Sequence, residues 1–199
     1  MKRFLSYTAL CLGIAQLLLI LSSWILTSAM PDAAMRSLLS SEGIRWFFGN
    51  FVENLATPVL VWMLLIGIAY GAFQYSGLAA CITQRQPRSY RERFALRMVA
   101  VEVLLLVGIV MLLTLLPQGI LLSVTGNLFP SSFSKSVVAI IAFIVSLASV
   151  SYGMLSGRTN TLESVFSSLT AGMIYLAPFC ILYVLAAQLY FSTKFVFGI

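Results

Sequence analysis

The chain has 199 residues, of which 60% are hydrophobic and only 9% are charged, against roughly 25% charged residues in ordinary soluble domains. This composition excludes an ordinary soluble domain, because a chain of this length could not hide so much apolar surface from water. The net charge of +6 would favour nucleic-acid binding in a soluble protein. Here the basic residues cluster in one loop between apolar runs, so we expect no nucleic-acid partner.

Five apolar runs reach the ~20 residues that a helix needs to cross the hydrocarbon core. They predict an all-α, polytopic integral membrane protein in which residues 1–199 form a single membrane domain. The predicted spans are 4–28, 57–82, 98–116, 136–155 and 165–191. Pro178 lies near the middle of the last span and predicts a kink there, since proline removes one backbone donor.

The first span follows Lys2 and Arg3, as the apolar core of a signal peptide would. It exceeds the ~7–15 residues of such a core, and four more spans follow it. We therefore expect an uncleaved membrane anchor.

The segment between the first two spans has a helical pattern of its own. Its apolar residues recur on one helical face at Ile44, Phe47, Phe48, Phe51, Val52 and Leu55. Ser40 or Ser41 can cap the start, with Glu42 near the positive end of the helix dipole. We predict an amphipathic interfacial helix at about 41–56. The alternative is that this segment is the outer part of a long, tilted second helix.

Five arginines determine the predicted topology, and they fall between the second and third spans: Arg85, Arg88, Arg91, Arg93 and Arg97. Because cytoplasmic loops carry an excess of Lys and Arg, we place this loop in the cytoplasm. That side then also holds Lys2, Arg3 and Arg158, and the opposite side holds Arg36, Arg45, Lys135 and Lys194. We expect a multi-pass protein of the cell (inner) membrane, with its N-terminus in the cytoplasm and its C-terminus outside.

Two features inside the predicted spans suggest specific roles. Gly67 and Gly71 form a G-x-x-x-G pair, whose small residues let helix backbones approach closely, so we predict a helix-packing face within the chain or between subunits. The alternative is the ordinary abundance of glycine in membrane helices. Glu102 is the only acidic residue inside a predicted span and is therefore a candidate for ion coupling. It also lies close enough to Arg97 to reach the headgroups or to pair with a nearby arginine.

Little in the sequence indicates catalytic chemistry. There is no histidine, and Cys11, Cys81 and Cys180 are far apart, so we expect inert thiols, no metal and no cofactor. No set of acid, base and nucleophile is recognisable, which argues against an enzyme. The sequence names no substrate-binding residue.

Several segments follow the order of motifs of one known family. They begin with LLSSEGIRWFFGNFVENL at 38–55 and SGL at 76–78. The later ones are PQGILLSVTGNLFPSSF at 117–133, YGMLSG at 152–157 and MIYLAPFCILYVLAAQ at 173–188. Together they resemble the p-aminobenzoyl-glutamate transporter (AbgT) family over most of the chain. The resemblance implies a helical membrane transporter fold.

The chain also departs from that family pattern. Family members are longer and carry, after the second span, a re-entrant hairpin with an "SN-x-(A/S)-SDAGY" motif. Here Leu78 is followed directly by the arginine-rich loop. The resemblance therefore implies a shortened member that corresponds to the scaffold of these dimeric transporters and lacks their hairpin-containing transport segments.

Two functional interpretations follow from the resemblance. The first is a role in transport of p-aminobenzoyl-glutamate or a similar antimetabolite. The alternative is a non-transporting membrane scaffold or accessory subunit that associates with itself or with a larger transporter. Under both we expect the lipid bilayer and either a homo-oligomer or another membrane protein as partners.

Overall fold

The computed structural model describes residues 2–30, 35–83, 89–115 and 131–198. In these ranges the chain forms helices and no strand: α1 (Lys2–Ala29), α2 (Ser41–Gly49), α3 (Phe51–Leu55), α4 (Pro58–Tyr75), α5 (Leu78–Thr83), α6 (Tyr90–Leu115), α7 (Ser132–Ser156) and α8 (Leu162–Phe197). Five of them, α1, α4, α6, α7 and α8, are long and apolar enough to cross a membrane. The prediction of an all-α polytopic membrane protein is confirmed.

The predicted second span is divided in the structure. It consists of α4 and the short α5, and the break falls at Ser76 and Gly77. Gly77 has φ +78°, a left-handed conformation that ends helices and that glycine adopts without steric cost. The buried Ser76 hydroxyl accepts the N–H of Leu78 at 3.3 Å. An averaged hydropathy pattern runs through this break because long apolar runs lie on both sides of the short segment 74–77.

The later spans are longer than their apolar runs. α6 begins at Tyr90, α7 at Ser132 and α8 runs from Leu162 to Phe197, passing through Pro178 without interruption. Several of the extra turns are polar and are stabilised locally, whereas the last turn of α8 is apolar and packs Phe195 and Val196 against Leu38. At the start of α7, for example, Ser131 and Ser134 form a reciprocal capping box.

The amphipathic segment forms two helices where one was predicted. α2 ends at Gly49 and α3 begins at Phe51, with Asn50 between them at φ −92° and ψ 5°. The predicted cap at Ser40 is present, because its side chain accepts the N–H of Gly43 at 3.0 Å. The backbone leaves the helical conformation at Ala56, shortly before Pro58, which lacks an N–H and disfavours a helical residue ahead of it.

The chain divides into two compact units: unit 1 comprises Met1–Val61 and Ala177–Ile199, and unit 2 comprises Trp62–Leu176. The core of unit 1 is built on Leu38, Phe195 and Val196. The core of unit 2 contains Leu78, Cys81, Ala95, Val99, Ala148 and Tyr152. In both units many large apolar side chains stay exposed, as expected for helices whose outer faces contact lipid.

Candidate functional site

The glycine pair of α4 lies against α8 within unit 2. A Cβ on Gly71 would collide with the backbone of Gly172, and a Cβ on Gly172 would collide with the carbonyl oxygen of Gly67. A Cβ on Gly67 would lie 3.0 Å from Cδ2 of Leu176. The two backbones are therefore in direct contact, a distance that side chains larger than hydrogen would prevent. The contact lies between two helices of the same chain.

Tyr70 and Tyr175 continue this glycine contact. Their rings meet edge to face, with centroids 5.9 Å apart and an interplanar angle of 88°. Such aromatic pairs contribute about 0.5–1.5 kcal/mol beyond the area they bury. The α4–α8 contact therefore combines backbone approach with an aromatic pair beside it.

Glu102 is half-buried and is held by α7. The Ser151 hydroxyl donates a hydrogen bond to its Oε1 at 3.0 Å. Ser151 lies close to the end of α7 at Ser156, which places the pair roughly 8 Å from that helix end at about 1.5 Å per residue. Within the described ranges Glu102 forms no ion pair with an arginine. The serine occupies one acceptor site of the carboxylate, whose two oxygens offer about four.

The predicted topology-determining arginines are described only in part. Arg85 and Arg88 lie outside the described residues, whereas Arg91, Arg93 and Arg97 are exposed on the first turns of α6. None of these three has an acidic partner among the described salt bridges. They remain available to the headgroups and to water.

Arg158 links the loop after α7 to two other elements of unit 2. Its guanidinium lies 3.5 Å from Oε1 of Glu92 on α6 and packs directly against Gly77, where a Cβ would collide with it. The side chains of Arg158 and Glu92 are 48% and 27% exposed, so the ion pair contributes at most about 1 kcal/mol. Its clearest role is to position the α4–α5 break.

A hydrogen-bond network in unit 1 connects α8 to α3. The buried Gln188 donates from Nε2 to the Phe51 carbonyl and accepts from Nδ2 of Asn54, both at 3.3 Å. In the sequence Gln188 is a polar residue in a predicted span, of the kind that joins membrane helices by hydrogen bonds, although it was not among the predicted site residues. Its only signal there was an amide within an apolar run, since the partners lie far away in the sequence.

Tyr183 on α8 completes the same network. Its hydroxyl donates to the Leu55 carbonyl at 2.8 Å and lies 2.6 Å from the hydroxyl oxygen of Thr57. The last carbonyls of a helix have no partner inside it. Tyr183 and Gln188 supply donors to carbonyls of α3, close to the point where the chain turns into α4.

A third contact joins α1 to α8. Gln16 donates from Nε2 to the buried Ser192 hydroxyl at 3.0 Å, while its buried Oε1 has no partner among the described atoms. These hydrogen bonds fix helices to one another. In the described ranges no group of three or more His, Cys, Asp and Glu side chains is placed to hold a metal ion.

One family model matches the sequence that forms these helices. The model of the AbgT putative transporter family matches residues 70–195, more than half of the chain. The chain belongs to this family. No curated protein and no solved structure matches it.

The AbgT match covers most of the features described above. Gly71, Glu102, Ser151 and Gln188 lie inside the matched residues, whereas Gly67 and the segment 38–55 precede them. Membership of the AbgT family, together with the apolar helices, supports a transporter-like role in a multi-pass membrane protein.

Proposed function

We propose that this AbgT-family chain is the scaffold part of a transporter for p-aminobenzoyl-glutamate or a similar carboxylate-bearing antimetabolite. The observation that carries the scaffold assignment is the backbone contact between Gly71 and Gly172, inside the matched residues. A helix pair in direct backbone contact packs tightly. It is suited to the part of a transporter against which another part moves.

The polar side chains of the described membrane helices support the same assignment. Gln188, Tyr183, Gln16 and Glu102 each form a hydrogen bond within the protein. A substrate with carboxylates requires a buried Arg or Lys or a helix N-terminus aimed at it. The described spans carry no Arg or Lys in their central parts.

The scaffold assignment requires a second component. We propose that another copy of the chain or a larger transporter supplies the part that holds the substrate and moves against the scaffold. If neither joins it in transport, the chain is an accessory subunit. We assign no catalytic step to it.

Uptake into liposomes tests this proposal. The purified protein alone is expected not to accumulate p-aminobenzoyl-glutamate under a sodium or a proton gradient. Accumulation is expected when a full-length AbgT transporter is reconstituted with it, at a rate above that of the transporter alone.

Two variants make the outcome specific. Glu102→Gln removes the charge held by Ser151, and Glu163→Gln is the matched control in the first turn of α8. Gradient-dependent uptake by the protein alone would overturn the scaffold assignment, and its loss in Glu102→Gln only would make Glu102 the coupling residue. If the protein changes uptake neither alone nor with the relative, the transport role itself is wrong.

A further inference from the structure

Two cavities on the surface of unit 1 meet at Lys194. The larger has a volume of about 480 Å³ and is lined by Leu12, Ala186, Leu189, Tyr190, Thr193 and Lys194. The second has a volume of about 360 Å³ and is lined by Arg36, Trp46, Phe191, Lys194, Phe195 and Gly198. The two therefore share one cation, with an apolar groove on one side of it and a basic, aromatic cavity on the other.

The apolar groove follows α8 away from its C-terminal end. From Lys194 back to Ala186 it extends roughly 12 Å along the helix axis, at about 1.5 Å per residue. One leaflet of the hydrocarbon core is about 15 Å thick, half of the ~30 Å bilayer core. The groove is therefore nearly as long as one leaflet is thick, and its cation lies at one end of it.

The basic cavity has a firm aromatic wall. Trp46 and Phe195 stack with centroids 4.4 Å apart and planes 19° from parallel, and Arg36 lies 5.7 Å above the Phe195 ring. The backbone N–H of Arg36 donates to the Val196 carbonyl at 3.0 Å. Aromatic side chains of this kind are enriched at the membrane–water interface, which agrees with a position at the headgroup level.

Both cations of the cavity can accept an anion. Within the described residues Lys194 has no acidic partner, and its Nζ lies over the Tyr190 ring at 5.9 Å. Arg36 contacts Glu42 at 3.7 Å, but these side chains are 60% and 70% exposed, so water and a competing anion reach the pair. The C-terminal end of α8 carries a partial negative charge, which does not attract an anion. Binding of an anion here therefore depends on the side chains of Lys194 and Arg36.

We propose that this composite cavity binds one anionic phospholipid. One acyl chain lies in the groove between Leu12 and Ala186, and the phosphate lies between Lys194 and Arg36. The neighbouring aromatic wall supports the glycerol region. An apolar groove nearly as long as one leaflet is thick that ends at cations matches an amphiphile, whereas a water-soluble anion would leave the groove unused. This site is independent of any transport activity.

Lipid retention measured by native mass spectrometry tests the proposal. Purified protein is titrated with phosphatidylglycerol and with phosphatidylcholine of the same acyl chains, and the bound fractions are compared within one sample. Removing one cation near a membrane surface is expected to weaken phosphatidylglycerol binding about fivefold. The double variant Lys194→Gln, Arg36→Gln should therefore lose the preference for phosphatidylglycerol.

Two further variants separate the acyl chain from the charge. Ala186→Trp fills the groove and should lower the retention of both lipids, with Ala186→Leu as a smaller obstruction if the tryptophan variant does not fold. Lys135→Gln removes a lysine that lines neither cavity and should behave like the unmodified chain.

Several results would overturn the site. Equal retention of the two lipids by the unmodified chain would exclude recognition of the anion, and so would a preference that survives the double variant. Unchanged retention in both groove variants would exclude the acyl chain from the groove. If glycerol phosphate competes as well as the intact lipid, the cavity binds a free phosphate ester and no phospholipid.

Discussion

Glycines of this chain occupy three different environments. At Gly71 the missing Cβ allows the backbone of Gly172 to come into contact. At Gly77 and Gly157 the backbone has φ of +78° and +79°, which a side chain would make costly. At Gly108 an added Cβ would meet nothing within 4 Å. Only the first environment joins two helices, so mutations at these positions should differ sharply.

Replacing Gly71 by alanine should destabilise the protein. The added Cβ would meet backbone atoms of Gly172, which cannot move aside as a side chain can, and overpacking of this kind costs about 1–3 kcal/mol. Gly67→Ala should cost less, because its nearest neighbour is the flexible end of Leu176 at 3.0 Å. Thermal unfolding in detergent measures both.

Gly108→Ala is the matched control for that series. It adds the same carbon to a membrane helix where nothing lies within 4 Å, and alanine favours a helix over glycine by up to about 1 kcal/mol. We expect an unchanged or slightly higher melting temperature. If Gly71→Ala and Gly108→Ala unfold at the same temperature, the backbone contact with Gly172 does not exist in solution.

The elements of unit 1 are connected where the chain bends from α3 into α4. At the bend the Leu55 carbonyl has no helical partner, and α8 supplies a donor to it from Tyr183 and a second donor, to the Phe51 carbonyl, from Gln188. The N-terminal part of the chain is thus fixed by a helix more than a hundred residues later in the sequence. One hydroxyl group makes the shortest of these contacts.

Tyr183→Phe should loosen this bend. It removes the donor to Leu55 at 2.8 Å and the contact with Thr57 at 2.6 Å, and keeps the ring. The expected loss is about 1 kcal/mol of unfolding free energy, with faster hydrogen exchange of the amides around Leu55. Tyr175→Phe is the control, because the Tyr175 hydroxyl forms no hydrogen bond within the described ranges. Equal effects of the two variants would contradict the role of the Tyr183 hydroxyl.

The sequence predicted the elements better than it predicted their ends and contacts. Five apolar runs indicate five helices, because a segment in lipid must form all its backbone hydrogen bonds internally and a helix does so. The break at Gly77 is hidden in an averaged hydropathy pattern by the long apolar runs on either side of it. The break at Asn50 falls on the polar face of the amphipathic segment, where a polar residue is expected. Glu102 was recognisable as an unusual residue, but its partner Ser151 depends on how α6 and α7 pack. The same holds for Gly71 and its distant partner Gly172.

The distribution of charge over the whole chain determines its expected direction in the membrane. With the N-terminus inside, the cytoplasmic side receives the five arginines of the 83–97 region together with Lys2, Arg3 and Arg158. The opposite side receives four basic residues, among them Lys135 and Lys194. Because successive loops alternate between the two sides, the assignment rests on the totals, which are eight basic residues inside and four outside.

Introduced cysteines test this direction. Ser89, just before α6, and Ser132, at the start of α7, are both exposed in the structure. A difference in their labelling would therefore not arise from burial within the protein. In a chain whose three native cysteines are replaced by alanine, an impermeant thiol reagent on intact cells should label Ser132→Cys and leave Ser89→Cys unlabelled. After the cells are permeabilised, both should be labelled, which controls for accessibility. Labelling of Ser89→Cys alone on intact cells would invert the topology, and labelling of both would show that the chain inserts in two directions, because its excess of basic residues on one side is too small to select one.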